Sequence, residues 1–259
     1  MKEQKKIRTI DGHEIPVIID HADKSKFGDY LVILLHGIFT DKHEKGRFDR
    51  FAERLNKNGL DVIRFDFRGH GESPLPSRKF TPTGALLDYK TVLNLVKQQN
   101  YKPIVIGSSF GGSVVLLERL LPNRDEIEMF IFLNPVVDYQ RTFINSVFEW
   151  EGAFKLKELK SLGDKEVIKK VNNFECSSNL LMELVLLKPY EGIKHLNAPT
   201  LVFHGDKDTK LSMDLTKKHF NTSDAEMVIV KGAGHSFKSE EHENFVHNYS
   251  ISWILEKIK

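Results

Sequence analysis

The chain has 259 residues, 40% of them hydrophobic with 18 Phe among them, and a net charge of +2 with acids and bases interspersed. That length suits one large domain, or one domain carrying an insertion, with enough apolar side chains for a sizeable core. The charge balance excludes the electrostatic footprint of a nucleic-acid binder, and no apolar run approaches the ~20 residues of a membrane helix.

The first predicted element is a hairpin, residues 6–10 and 14–19 around Asp11-Gly12. Strands follow at 30–35 and 61–65, with an amphipathic helix over 47–58 closed by Gly59. A helix over 83–98 leads to a strand at 103–106 and a second helix beginning near Gly112. Then come strands at 129–133 and 200–203, a helix at 213–220, a strand at 226–230 and a last helix over 240–258. Alternating strands and helices predict an α/β fold, a mostly parallel sheet covered on both faces and entered through an antiparallel hairpin. Residues 135–197 break this rhythm. They contain several helical stretches, no convincing strand and an aromatic group of Phe143, Phe148, Trp150 and Phe154. The expectation is a core of residues 1–134 and 198–259 with a helical lid at 135–197.

Gly107-Ser108-Ser109-Phe110-Gly111 is the most informative stretch. A strand precedes it and a helix follows, the context a G-x-S-x-G motif needs to be a nucleophile elbow. The glycines allow the chain to reverse so sharply that Ser109 stands exposed in strained backbone. The helix N-terminus beneath would favour negative charge there. Ser109, not Ser108, occupies the central position.

A serine hydroxyl needs a base, and the base is best oriented by a carboxylate. Of 11 histidines, His235 alone follows a late strand through a short glycine turn, at the sheet edge that carries the site in open parallel sheets. The strand at 200–203 runs into His204-Gly205-Asp206-Lys207-Asp208, where both aspartates are candidates. One of them is expected to serve its own turn. The order Ser109, Asp208, His235 is that of a triad on successive strand ends. Other motifs fail. His242 and His247 are five apart, so on a helix they point about 140° apart and cannot share a zinc. There is no phosphate-binding loop, and Gly69-x-Gly71 lacks the third glycine of a dinucleotide site. No metal and no cofactor is expected.

Over nearly its whole length the chain resembles the α/β-hydrolases, in four blocks taken in order. His36-Gly37-Ile38-Phe39 is similar to the family's HG loop, and Phe65-Asp66-Phe67-Arg68-Gly69-His70-Gly71-Glu72-Ser73 to its D-x-R-G-H-G-x-S loop. The elbow is the third, and His204-Gly205-x-x-Asp208 with Gly234-His235 the fourth. The resemblance implies Asp208 over Asp206 as the triad acid, and the backbone N–H groups of Ile38 and Phe110 as the oxyanion hole. The wording of the second block looks most like lidded bacterial carboxylesterases, feruloyl-esterase-like or monoacylglycerol-lipase-like. Serine at the nucleophile position argues against dehalogenase or epoxide hydrolase chemistry.

The expected function is a serine hydrolase acting on a small-molecule ester of a small to medium acyl or aryl-acyl group. Asp138, Gln140, Phe143, Phe148 and Trp150 are candidate substrate contacts. A thioesterase, amidase or carbon–carbon hydrolase would use the same triad, and a ligand-binding receptor could occupy the same fold. No apolar segment follows the basic N-terminus, and the single Cys176 excludes an internal disulfide, so a cytoplasmic location is expected. No nucleic-acid partner and no membrane span are expected, and nothing in the sequence sets an oligomeric state.

Overall fold

The computed structural model describes residues 1–23, 26–155, 158, 160 and 166–258. Strands β1 (Lys2–Arg8) and β2 (Glu14–Asp20) form the antiparallel entry hairpin, with Arg8 opposite Glu14. Then come β3 (Tyr30–Leu35), α1 (Arg47–Lys57), β4 (Asp61–Phe65), α2 (Pro82–Gln98), β5 (Lys102–Ser108), α3 (Phe110–Glu118) and β6 (Met129–Leu133). Within residues 135–197, the expected insertion, lie β7 (Val167–Val171), β8 (Phe174–Ser177) and α4 (Ser178–Leu186). The core resumes with β9 (Thr200–Gly205), α5 (Met213–Phe220), β10 (Glu226–Val230) and α6 (Glu240–Lys257).

Eight strands make one sheet in the order β1-β2-β4-β3-β5-β6-β9-β10, antiparallel at β1–β2 and β2–β4 and parallel beyond. The period of two divides the strand side chains between two cores. Ile33 and Leu35 pack with α2, α3 and the insertion, whereas Val32 and Leu34 pack with α1 and α6. Several helix starts are capped by side chains: the Thr81 hydroxyl accepts from Gly84 N–H before α2, and Ser239 from His242 N–H before α6.

The insertion differs from the helical expectation. Lys169–Cys176, Lys170–Glu175 and Val171–Phe174 pair antiparallel, with a register irregularity after Val167. Alternation is weak in Val167–Val171, whose pattern is mostly half-buried, so the period-2 signal is hard to see. Residues 156–157, 159 and 161–165 of the expected lid lie outside the described residues. Cys176 is buried, and burial pushes its thiol up to about 12.

His247 is buried in α6, stacked on Phe51 with ring centroids 4.1 Å apart, and neither ring nitrogen has a hydrogen-bond partner among the described residues. Burial, followed by the charges of Arg47, Arg54 and Arg50, pushes it down to about 2. The unfolded chain, with an ordinary histidine at about 6.5, therefore binds the proton first as pH falls, and stability is lost below that value. Between about pH 7 and 5 this one group costs about 2 kcal/mol. His247→Phe should keep the stack and reduce the acid-side loss of unfolding free energy by about that amount. Denaturant melts of both proteins at the two pH values check this, and identical losses would refute it.

Candidate active site

The elbow is built by close approach. A Cβ on Gly107 would lie 2.7 Å from Gly112 Cα, and one on Gly111 would lie 2.3 Å from the Leu35 carbonyl oxygen. Only glycine lets β5, α3 and the end of β3 meet there. Ser109 takes φ 49° and ψ −114°, a conformation costing about 1–3 kcal/mol for a residue with a side chain. Its backbone is held by the Leu133 carbonyl, which accepts Ser109 N–H at 2.9 Å, and by Val136 N–H, which donates to the Ser109 carbonyl at 2.9 Å. The side chain stands at the sheet edge as the first turn of α3 begins.

Three residues from three strand ends converge. His235 Nε2 is 3.1 Å from Ser109 Oγ, and its Nδ1 is 2.8 Å from Asp208 Oδ2. With Nδ1–H donated to the carboxylate, Nε2 is free to accept from the serine hydroxyl. The other Asp208 oxygen accepts the backbone N–H groups of Lys210 at 2.8 Å and Leu211 at 3.0 Å. Burial raises the Asp208 carboxyl, but the His235 ring and these two amides outweigh it and hold it below the usual carboxylate value. Asp206 does something else, since its Oδ1 accepts Gly232 N–H at 2.7 Å. It ties β9 to the turn that leads to His235, rather than closing a turn of its own.

The HG loop is clamped on both sides of Ile38. Gly37 N–H donates to Glu44 Oε1 at 2.5 Å, and Phe39 N–H donates to His70 Nε2 at 3.3 Å. His70 accepts because burial, followed by the neighbouring His36, pushes it well below the ordinary histidine value and keeps it neutral. The N–H of Ile38 between these two has no protein acceptor among the described residues, and Ile38 lines the cleft over Ser109. Phe110 N–H stands at the first position of α3, among the helix donors that lack an intrahelical partner.

The charged residues of the D-x-R-G-H-G-x-S loop hold that loop itself. Buried Asp66 accepts Lys42 N–H at 2.8 Å, Glu72 N–H at 2.9 Å and the Lys42 ammonium at 2.6 Å. Arg68 makes a fork with buried Asp88, its Nη2 to Oδ1 at 2.7 Å.

Sequence reasoning missed a second set of residues. Asn134, at the end of β6, donates to the His235 carbonyl at 2.7 Å and accepts Gly205 N–H at 2.9 Å. It thereby spaces the acid and base loops, and its position just past a strand end, before Pro135, was the available signal. Buried Arg47 donates from Nη2 to Ser108 Oγ at 2.7 Å and to Glu44 Oε2 at 2.9 Å, and from Nη1 to the Ser236 carbonyl at 3.3 Å. One guanidinium thus links the elbow, the HG loop and the His235 loop. Ser108 is part of this link rather than an idle neighbour of Ser109.

A cleft of about 400 Å³ opens over Ser109 and His235. Of the five expected substrate contacts, Trp150 lines it and the other four stand outside. Asp138 Oδ1 accepts Arg141 N–H at 3.0 Å and caps the short π-turn at 140–144. Gln140 donates to the Val185 carbonyl at 2.7 Å, tying that turn to α4. Phe143 is buried, packed on Tyr139, Phe110 and Trp150. Phe148 lines a second cleft with Phe154 and Lys169, and Trp150 stands at both clefts. Position 150 differs because its indole N–H donates to the Thr142 carbonyl at 3.2 Å, which swings the ring toward Phe39 and Lys210.

Residues 29–242 match the family model Hydrolase_4, described as serine aminopeptidase, S33. The chain is 26% identical over 238 residues to AB hydrolase superfamily protein YisY of Bacillus subtilis, an alignment covering 82% of this chain and 87% of that protein. Among solved structures, Est1E from Butyrivibrio proteoclasticus with ferulic acid bound superposes with a TM-score of 0.81 at 22% identity, covering 98% of this chain and 99% of that one. The esterase EaEST from Exiguobacterium antarcticum superposes with a TM-score of 0.69 at 18% identity, covering 97% and 99%. Together with the sheet order, these matches establish that the chain belongs to the Hydrolase_4 family of α/β-hydrolases.

Proposed function

We propose that this chain is a serine hydrolase that cleaves carboxylic esters of small to medium acyl or aryl-acyl groups through an acyl-enzyme on Ser109. The observation that carries the reading is the His235 ring set between Ser109 Oγ at 3.1 Å and Asp208 Oδ2 at 2.8 Å. Ser109 attacks the carbonyl carbon as His235 takes its proton, and His235 then returns that proton to the leaving alcohol. Asp208 fixes the imidazole tautomer and stabilises the imidazolium. The N–H groups of Ile38 and Phe110 bind the oxyanion, aided by the positive end of α3. Water, activated by the same histidine, releases the acid. The insertion acts as the lid and contributes Trp150 to the cleft.

The family model is described by an aminopeptidase, which would need a free acid to hold the substrate ammonium. The cleft offers Glu44, Glu151 and Glu243, and each is already engaged by a cation at 2.9 Å or less. This favours esters over peptides with a free N-terminus. That Est1E was solved with ferulic acid supports including aryl-acyl esters in the range.

Turnover of p-nitrophenyl esters from acetate to cinnamate, beside alanine p-nitroanilide, tests the reading. Multiple turnover of the esters with little anilide cleavage supports it, and the reverse ranking overturns it. Within that panel Trp150→Ala should lower kcat/KM for the cinnamate about tenfold more than for the acetate, because the ring loses an apolar wall. A uniform fall across the panel would mean that Trp150 supports the site without selecting the substrate.

A further inference from the structure

We propose that the leaving-group side of the cleft binds an anionic oxyacid group, so that the natural substrates are esters whose alcohol carries a carboxylate or phosphate. The inference rests on the hydrolase reading above. His235 delivers its proton to the departing oxygen, so the alcohol lies on the His235 side. That side is built by Ser236 and Lys238, which follow the histidine, and by the segment from Glu44 into α1, joined to it through Arg47 and the Ser236 carbonyl.

The charges of the cleft do not balance. Glu44 is taken by Arg47 at 2.9 Å, Glu151 by Lys210 at 2.5 Å, and Glu243 by both Nε and Nη2 of Arg50 at 2.5 and 2.7 Å. Lys45 and Lys238 line the same cleft, and neither has an acidic partner among the described residues. Two positive charges are therefore left over, on the exposed side chains of Lys45, which follows Glu44, and Lys238, three residues after His235. Arg47 adds a further donor surplus. It is buried, and among the described residues its Nη1 makes a single bond at 3.3 Å while its Nε, shut off from solvent, makes none, so that Nη1 keeps one of the guanidinium's five N–H groups unspent. A buried cation with an unspent donor and two exposed ammonium groups lining one cleft favour an anion, and the walls of a cleft focus that field. Trp150, Val171 and Leu211, also in the lining, are uncharged and suit the acyl part.

The test compares 4-acetoxybenzoate and 4-acetoxyphenyl phosphate with the neutral methyl 4-acetoxybenzoate, at low and high salt. At low salt kcat/KM for an anionic ester should exceed the neutral one by about tenfold or more. The ratio should fall toward one in 0.5 M NaCl, as screening shortens the range of the field, and in the double variant Lys45→Gln/Lys238→Gln. The better of the two anions names the group. Charge moved to the acyl side, in p-nitrophenyl hemiglutarate against p-nitrophenyl pentanoate, should bring no preference. Binding of 4-hydroxybenzoate, 4-hydroxyphenyl phosphate and methyl 4-hydroxybenzoate to the Ser109→Ala protein, read by calorimetry, gives the same comparison without chemistry. If no ester is turned over but the anions still bind in a Lys45- and Lys238-dependent way, the hydrolase reading fails and the anion site stands. Equal kcat/KM and equal binding for charged and neutral compounds, a preference that survives the double variant, or a preference on the acyl side would overturn the proposal.

Discussion

Ser109→Ala is expected to reduce ester turnover by about a million-fold while the protein stays folded and still binds product, because loss of one triad member removes nearly all that the unit contributes. The reason is geometric: Ser109 Oγ is the hydroxyl within reach of His235 Nε2, at 3.1 Å. Ser108 supplies the comparison. Its hydroxyl is turned to Arg47 at 2.7 Å, so Ser108→Ala should keep measurable turnover while loosening the link among the elbow, the HG loop and the His235 loop. Steady-state rates with p-nitrophenyl acetate, and a circular dichroism melt of each variant, decide the matter. Equal loss in two folded variants would remove Ser109 from the nucleophile role.

Asp208→Asn should lower turnover by about four orders of magnitude, and the structure supplies a specific reason. The Oδ1 position accepts two backbone N–H groups, from Lys210 and Leu211. A carboxamide must place its oxygen there, which leaves its NH₂ facing His235 Nδ1. The imidazole then accepts at Nδ1 and carries its proton on Nε2, where it cannot take the proton of Ser109. Asp206→Asn should cost far less turnover, since Asp206 meets Gly232 N–H and not the imidazole. A kcat comparison of the two variants checks the ranking, and the reverse order would assign the carboxylate role to Asp206.

The legible parts of this molecule were those whose physics is local. Strands such as Met129–Leu133 and Glu226–Val230, and the helix Met213–Phe220, stand where hydrophobic run and flanking turn residues put them. The elbow was legible because its glycines answer a steric demand within a few residues, although the backbone they must avoid includes that of Leu35, far away in sequence. The insertion was not. Its hairpin shows little alternation, being half-buried along most of Val167–Val171, and an aromatic residue reads alike whether it packs a core or walls a cleft.

The sequence alone determined the fold class, the order of the elements outside residues 135–197, and the candidates Ser109 and His235 with the pair Asp206 and Asp208, because each follows from a short pattern at a strand end, and the family resemblance then preferred Asp208. Only the tertiary structure decided which aspartate oxygen meets the imidazole, and that Asn134 spaces the two loops. It likewise showed that Arg47 joins three segments, and that Trp150 rather than Phe143, Phe148, Asp138 or Gln140 lines the cleft over Ser109. Those relations join residues from separate strands and helices. A side chain's direction there is set by which neighbour accepts its hydrogen bond or fills the space beside it, and no local period encodes that.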